Sequence, residues 1–268
     1  MKYWFIPAAV ALFAFLLYSN HHLTVSHFTL PCSEDIRIVQ LSDLHWGLFG
    51  RDNCRLVEKV REQKPDLVCI TGDLLDKRLP NRRRTLSLLR QLVAICPCYY
   101  VRGNHEVYLG DRDYLEEVRK TGTVYLENEM VSFRGITVIG LDDASVCGSR
   151  QFDAQKAFID EQLDALAPKR DDYIVLLSHQ PQHIDSYSRY DIELVLCGHV
   201  HGGQFRLPWI GGLYGPQQGI LPRYSAGMHE MNGTTMILSR GLGNSLFPFR
   251  LNNFPEIVVI DLEKEKEA

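Results

Sequence analysis

Hydrophobic and polar positions follow two rhythms along this chain, and one stretch follows neither. That stretch comes first. Residues 3–19 carry no charged side chain, are apolar on every face, and after Lys2 the next charge is Glu34. Seventeen helical residues span about 26 Å, slightly short of the ~30 Å hydrocarbon core of a bilayer, and the neutral run lengthens through Asn20 and His21. Trp4 and Tyr18 stand at its two ends, where amphipathic rings favour a membrane interface. No small-x-small pair follows the run. A retained single-pass anchor over residues 1–22, placing the protein at the cell membrane, is therefore expected rather than a cleaved leader. The side of the membrane stays open, because Lys2 points the rest of the chain outward while seven cysteines favour a reducing compartment.

From Asp35 onward, apolar strand-like runs alternate with helical spacing. Strands are expected at Ile36–Leu41, 66–71, Cys98–Val101, Tyr173–Leu177, Leu194–Cys197, Thr234–Leu238 and 256–262. Helices are expected at 53–63, with Leu56, Val57 and Val60 on one face, at 82–95, at 113–120, and at 153–166 before Pro168. Short runs at 123–126, 130–133 and 136–141, joined by polar turns, read as a three-stranded meander. The last third, 198–262, is rich in Gly and Pro. The pattern predicts one α/β domain over 35–262, with β-α-β units first, more antiparallel strands later, and two packed sheets. Residues 263–268 read as a frayed, solvated tail.

Composition narrows the class. With 268 residues, 45% hydrophobic and 23% charged, the chain is long enough for a full core and too apolar to be disordered. A formal charge of −4 gives no bias toward nucleic acid, and neither a nucleic-acid nor a protein partner is expected. Seven irregularly spaced cysteines do not form a disulfide framework. Cys69 and Cys197 read as core residues, and Cys96 with Cys98 is too small a thiol set to define a metal site.

The chemistry sits just past the strands. Asp43 and His45, Asp73, Asn104 and His105, His179, and His199 and His201 each follow a strand end, the edge where open α/β sheets bind ligands. Asp43, His45, Asp73, Asn104, His179, His199 and His201 are too many donors for one divalent ion and suit two, with a carboxylate shared. Nitrogen and oxygen donors without thiolate suit Mn, Fe, Zn or Ni. Two carboxylates against two such ions leave a positive pocket that attracts phosphate. Gly72, Gly103 and Gly198 precede donors and let the backbone turn sharply there. His183 and His229 read as a helix-start or surface residue and a turn residue. The chain has no GxxxxGK[ST] or GxSxG motif, and His105-Glu106 does not open an HExxH site because Leu109 stands in the second His position.

DLH at 43–45, GD at 72–73, GNHE at 103–106, SHQP at 178–181 and GHVH at 198–201 resemble, in order and spacing, the calcineurin-like metallophosphoesterases. The similarity spans residues 36–262. GHVHGGQ at 198–204, SRGLG at 239–243 and the N-terminal segment are similar to a bacterial branch of membrane-associated phosphodiesterases, some of which are UDP-2,3-diacylglucosamine pyrophosphohydrolases of lipid A synthesis. The resemblance implies an αββα four-layer sandwich of two mixed β-sheets flanked by helices, here with an N-terminal transmembrane helix. It also implies a hydrolase of phosphodiester or pyrophosphate bonds with two divalent ions, Mn first among them. Asp43, His45, Asp73 and His201 would hold one ion, and Asp73, Asn104, His179 and His199 the other, with Asp73 bridging. An ion-activated hydroxide would attack phosphorus while His105, off the metals, assists the leaving group. Glu106 stands where many members carry Asp and could orient His105.

The implied substrate is a phosphoester, and a lipid-linked nucleotide is the leading choice. A general phosphodiesterase or phosphatase is the alternative. A non-catalytic scaffold is disfavoured because the donor set and His105 are complete, and net charge gives a nuclease no support. The basic run of Lys77, Arg78, Arg82, Arg83 and Arg84 reads either as a solvated helix start or as a contact for anionic headgroups. The apolar stretch 246–249 reads as core. Its second reading is an acyl-chain groove, with Phe247 in contact with the chain and Arg250 near the phosphate.

Overall fold

The computed structural model describes residues 5–167, 173–245 and 247–264. The chain opens with α1 (Phe5–His21) and β1 (Thr24–Cys32). It continues through β2 (Ile36–Leu41), α2 (Cys54–Glu62), β3 (Leu67–Thr71), α3 (Arg82–Val93), β4 (Cys98–Val101), α4 (Asn104–Leu109), α5 (Arg112–Lys120) and β5 (Val124–Tyr125). The next run is β6 (Glu129–Phe133), β7 (Ile136–Gly140), α6 (Phe152–Leu166), β8 (Tyr173–Leu177), α7 (Ile184–Tyr187) and β9 (Leu194–Cys197). Two short hairpins follow, β10 (Arg206–Leu207) with β11 (Gly211–Gly212) and β12 (Tyr214–Gly215) with β13 (Gly219–Ile220). The last strands are β14 (Gly227–Met231), β15 (Thr234–Leu238) and β16 (Glu256–Lys264).

These strands form two mixed six-stranded sheets, ordered β1-β16-β2-β3-β4-β5 and β14-β15-β9-β8-β7-β6. In the first, β2 to β5 run parallel, and β16 enters antiparallel to β2 and parallel to β1. In the second, β7, β8, β9 and β15 are parallel, with β6 and β14 antiparallel at the edges.

Period-two alternation sorts the side chains into three apolar layers. Val39, Leu41, Val68 and Ile70 face Leu56 and Val60 of α2, Leu89 and Leu92 of α3, and Leu115 of α5. Their strand neighbours Ile38, Leu67 and Cys69 face Val138, Val175, Leu177 and Leu194 of the other sheet. On the far side, Ile139, Leu176 and Val195 pack with Ile159 and Leu163 of α6 and Ile184 and Tyr187 of α7. The result is a helix–sheet–sheet–helix stack.

Four expectations change. The run 123–126 does not belong to a meander: β5 pairs with β4 at the edge of the first sheet, and of the three runs β6 and β7 alone pair as a hairpin, in the second. Tyr125 lies in the helix-side core of the first sheet, and that burial separates it from β6. The sequence pattern gave no sign of β1. It is an edge strand that tolerates Pro31, and its alternation of half-buried and exposed positions is shallow. His229 lies in β14 rather than on a turn, and His183 stands at the start of α7 as read but is fully buried rather than at the surface, stacked 5.0 Å from Phe152.

The membrane anchor is also overturned. No helix among the described residues is long and apolar enough to cross a membrane. The 17-residue α1 already includes Asn20 and His21, and that end is fastened to the domain. Asn20 Nδ2 donates to Pro248 O at 2.8 Å, and Asn20 Oδ1 accepts from Arg250 N at 2.9 Å. Ser19 is buried, and Tyr18 stacks on His22 and meets Phe254 edge-on. The expected single-pass anchor and the cell-membrane placement built on it are thereby withdrawn. Trp4 lies outside the described residues, as do Leu246 and the tail beyond Lys264.

Gly140 lies where the two sheets approach closely. A Cβ there would collide with Leu126 Cβ and lie 2.9 Å from Val101 Cγ1. Gly140→Ala should therefore destabilise the fold by about 1–3 kcal/mol through overpacking. The check is the urea midpoint, and an unchanged midpoint would contradict this packing.

Candidate metal centre

All seven predicted donors, together with His105, stand just past the carboxyl ends of β2, β3, β4, β8 and β9, with Asn104 and His105 opening α4. Backbone hydrogen bonds lash these loops together. Asp43 N donates to Gly72 O at 3.0 Å, His45 N to Asp73 O at 3.1 Å, Gly198 N to His179 O at 3.1 Å and Gly243 N to Asp43 O at 2.7 Å. Asp43, His45, Asp73, His199 and His201 all have positive φ, between 47° and 76°. A non-glycine residue pays strain in that region, and a cluster of such residues marks a site whose surroundings impose the conformation.

Donor atoms converge in groups. Asp43, His45 and His201 form one, and Asp73, His179 and His199 a second, each with its ligand atoms within 4.8 Å of one another. Asp73 links the two. Its Oδ2 lies 3.6 Å from His45 Nε2 and 3.3 Å from His179 Nε2. Asn104 Oδ1 is 3.2 Å from His179 Nε2. The outer nitrogens of the rings are occupied or faced by oxygen. His179 Nδ1 donates to Thr71 O at 2.7 Å, His201 Nδ1 donates to Gly243 O at 3.1 Å, and His45 Nδ1 faces Asp76 Oδ2 at 3.4 Å. Such outward partners turn the other ring nitrogen, with its lone pair, into the site.

The inward nitrogens meet each other. His45 Nε2 and His201 Nε2 are 3.2 Å apart, as are His179 Nε2 and His199 Nδ1. His199 Nε2 is buried without a partner among the described residues. Two imidazole lone pairs aimed at one point repel unless a cation or a shared proton lies between them, so these residues fit divalent ions. The protonation pattern agrees. Burial disfavours charge on His179 and His45, yet the facing carboxylates, Asp73 for His179 and Asp76 with Asp73 for His45, outweigh it and raise both pKa values. Burial drives His199 and His201 down to about 3, leaving both neutral. Burial pushes against ionisation of Asp73 and Asp43, but the neighbouring imidazoles, His179 first for Asp73 and His201 for Asp43, hold both below the usual carboxylate range.

Two residues beside the donors take roles that the sequence reading missed. Asp76 lies 3.4 Å from His45 Nδ1 and 3.7 Å from His105 Nδ1, and its carboxylate also accepts two hydrogen bonds from the Arg78 guanidinium at 3.1 and 3.0 Å. Its signal was the acidic residue three after Asp73. Glu106 does not face His105 as expected. It accepts main-chain N–H bonds from Asp73, Leu75 and Gly103 at 3.0, 2.8 and 2.9 Å, tying the β3 and β4 loops together. Burial and the nearby Asp73 charge push its pKa up to about 7.

Arg250, expected at a substrate groove, is 1% exposed. Its guanidinium donates to Arg240 O at 2.9 Å, to Asn253 O at 3.3 Å and to Gly243 O, so it holds the loop that positions His201. Phe247 lies against Phe205, ring centroids 5.4 Å apart.

The comparisons agree with this geometry. Residues 36–203 match the family model described as calcineurin-like phosphoesterase. A protein of Aquifex aeolicus described as an uncharacterized metallophosphoesterase is 31% identical over 95% of this chain and 97% of its own length. YkuE of Bacillus subtilis, with the same description, is 29% identical over 90% of this chain and 84% of its own length. Among solved structures, TT1561 of Thermus thermophilus shares the fold, with a TM-score of 0.54 and 15% identity over 78% of this chain and 91% of that one.

The facing carboxylates favour the protonated forms of His45 and His179 in the metal-free protein, and a bound cation must displace those protons. Apparent Mn²⁺ affinity should therefore rise with pH, by up to about tenfold per unit for each proton displaced, and level off once both imidazoles have lost those protons. Titration calorimetry in buffers of different ionisation enthalpy would show the proton release, and a pH-independent affinity would contradict it. The match over most of the domain, the full-length relatives and the convergent His/Asp groups lead to one conclusion: this chain belongs to the calcineurin-like phosphoesterase family and is a metal-dependent phosphoesterase hydrolase.

Proposed function

We propose that this chain hydrolyses phosphodiester or pyrophosphate bonds at a two-metal centre. One ion would be held by Asp43, His45, Asp73 and His201, and the other by Asp73, Asn104, His179 and His199. The observation that carries this reading is the single Asp73 carboxylate oxygen, within 3.6 Å of an imidazole from each donor group. Mn²⁺ is the leading ion for such nitrogen and oxygen donors, and Fe, Zn and Ni also suit them. When bound, two divalent ions neutralise phosphoryl charge and lower the pKa of water.

The chain's own residues do the rest. Lys77 N donates to His105 Nδ1 at 3.2 Å, which assigns the ring proton to Nε2. Burial depresses the His105 pKa to about 4, so the ring is neutral at neutral pH. A neutral imidazole with Nε2–H is a hydrogen-bond donor for the departing oxygen. The same ring packs edge-on against His45, centroids 4.6 Å apart, which places that donor beside the first ion's ligands.

For the substrate, UDP-2,3-diacylglucosamine follows from the branch that the sequence resembles. A cleft of about 170 Å³ beside the centre supports a substrate with an apolar arm. Trp46, Leu48, Leu242 and Pro248 line it, and it reaches Gly243, whose carbonyl holds His201.

With Mn²⁺, the purified chain should cleave bis-p-nitrophenyl phosphate, and Asp73→Asn or chelation should abolish cleavage. His105→Gln should lower turnover by about 10²–10⁴-fold while metal content stays normal. Loss of metal in that variant would contradict the role given to His105. UMP release from UDP-2,3-diacylglucosamine would establish the lipid nucleotide, and cleavage of the small diester alone would remove it in favour of another phosphodiester.

A further inference from the structure

Tyr108 follows His105 by three residues on α4, so the two side chains share a helix face about one turn apart. His105 is buried, whereas Tyr108 reaches solvent at the lip of the centre. Two cations rest on its ring. Lys77 Nζ lies 4.1 Å from the ring centroid, and the guanidinium carbon of Arg150 lies 6.0 Å from it. They arrive from different parts of the chain, Lys77 from the loop after β3 and Arg150 from the loop before α6.

The neighbouring basic residues are engaged elsewhere. Arg78 is held by Asp76, Arg82 pairs with Asp111, and Arg84 donates to Trp46 O at 3.4 Å. Among the described residues, no carboxylate pairs with Lys77 or Arg150. Two unneutralised cations, positioned by one aromatic ring, thus stand beside the histidine assigned to the leaving group. The attacked phosphoryl group would have the two divalent ions as its counterpart. Cations on the His105 side gain a partner only if the departing half of the substrate is itself anionic.

We propose that Lys77, Tyr108 and Arg150 form an anion subsite for a phosphate carried by the departing half of the substrate. The preferred substrate class, resting on the two-metal hydrolase reading above, is then a phosphoanhydride joining two organic groups. Water adds across the P–O–P link: its oxygen bonds to the attacked phosphorus, and the bridging oxygen leaves on the second phosphoryl group. Two phosphomonoesters result, and the two protons of water end on the products or in solvent. Lys77 and Arg150 neutralise the phosphate that departs, while Tyr108 sets their positions.

The test uses the full Mn²⁺-loaded chain with two probes. ADP-ribose releases a phosphomonoester whichever phosphorus is attacked, and bis-p-nitrophenyl phosphate releases p-nitrophenolate, a leaving group that carries no phosphate. For Lys77→Ala/Arg150→Ala, kcat/KM for ADP-ribose should fall about tenfold or more, with the diester changed less than about twofold. Ribose 5-phosphate, followed by titration calorimetry, should bind the double variant several-fold more weakly than the parent. Arg150→Lys with Lys77 intact should recover much of the loss. Equal loss on both probes would mean a structural role and overturn the subsite. So would an unchanged ADP-ribose rate, or a parent protein that cleaves the diester but not the anhydride. A parent protein that cleaves neither overturns the hydrolase reading itself, and the subsite with it.

Discussion

The Asp73 carboxylate is the interaction on which the rest of the centre depends. It is buried at the end of β3, below its normal pKa, and faces imidazoles from both donor groups. A carboxylate so far from water persists only with compensating charge and hydrogen bonds. His105 N supplies one such bond at 2.8 Å to Oδ1, and the imidazoles supply positive potential when protonated. Divalent ions meet the same demand and also separate the imidazole lone pairs. Five donors in the left-handed backbone region add strain on the order of 1–3 kcal/mol each, which the surrounding loops must hold. Two sheets that bring five strand ends to one edge provide that support.

The supports lie one layer out from the donors. Glu106 gathers three main-chain N–H groups from the β3 and β4 loops. Arg250 and Asn253 fasten the loops around His201, Asn253 Nδ2 donating to His201 O at 2.7 Å. Asp76 faces His45 Nδ1 and orients that candidate ligand, while Lys77 N fixes the neighbouring His105 ring. The Gly243 loop joins this layer to the apolar cleft, because Gly243 O holds His201 while the glycine itself lines the cleft. The wall of the cleft and the orientation of His201 therefore share that loop.

The donors were legible in the sequence because each follows an apolar run short enough to be a strand. Asp43, Asp73, His179 and His199 each stand two residues past such a run, and their convergence follows from the α/β rule for strand ends. The supports were not legible. Arg250 has no local pattern that separates a buried loop-holder from a surface arginine, and its partners are carbonyls, which any sequence supplies. Asp76 and Glu106 differ in role only through which atoms their carboxylates face. In the fold, β5 was misplaced because two residues carry no record of which sheet they join. The N-terminal helix misled for a different reason: its composition matches a membrane span, but the contacts of Ser19 and Asn20 end it against the domain. Periodicity reports burial and not what the buried face meets.

The central claim is that Asp73 joins two metal sites into one centre. The most direct measurement is the number of ions per chain, by elemental analysis after Mn²⁺ reconstitution and removal of free metal. Two ions in the parent protein, and no more than one in Asp73→Asn, is the predicted result. A parent that retains a single ion, or an Asp73→Asn variant that still holds two with unchanged affinity, would contradict it.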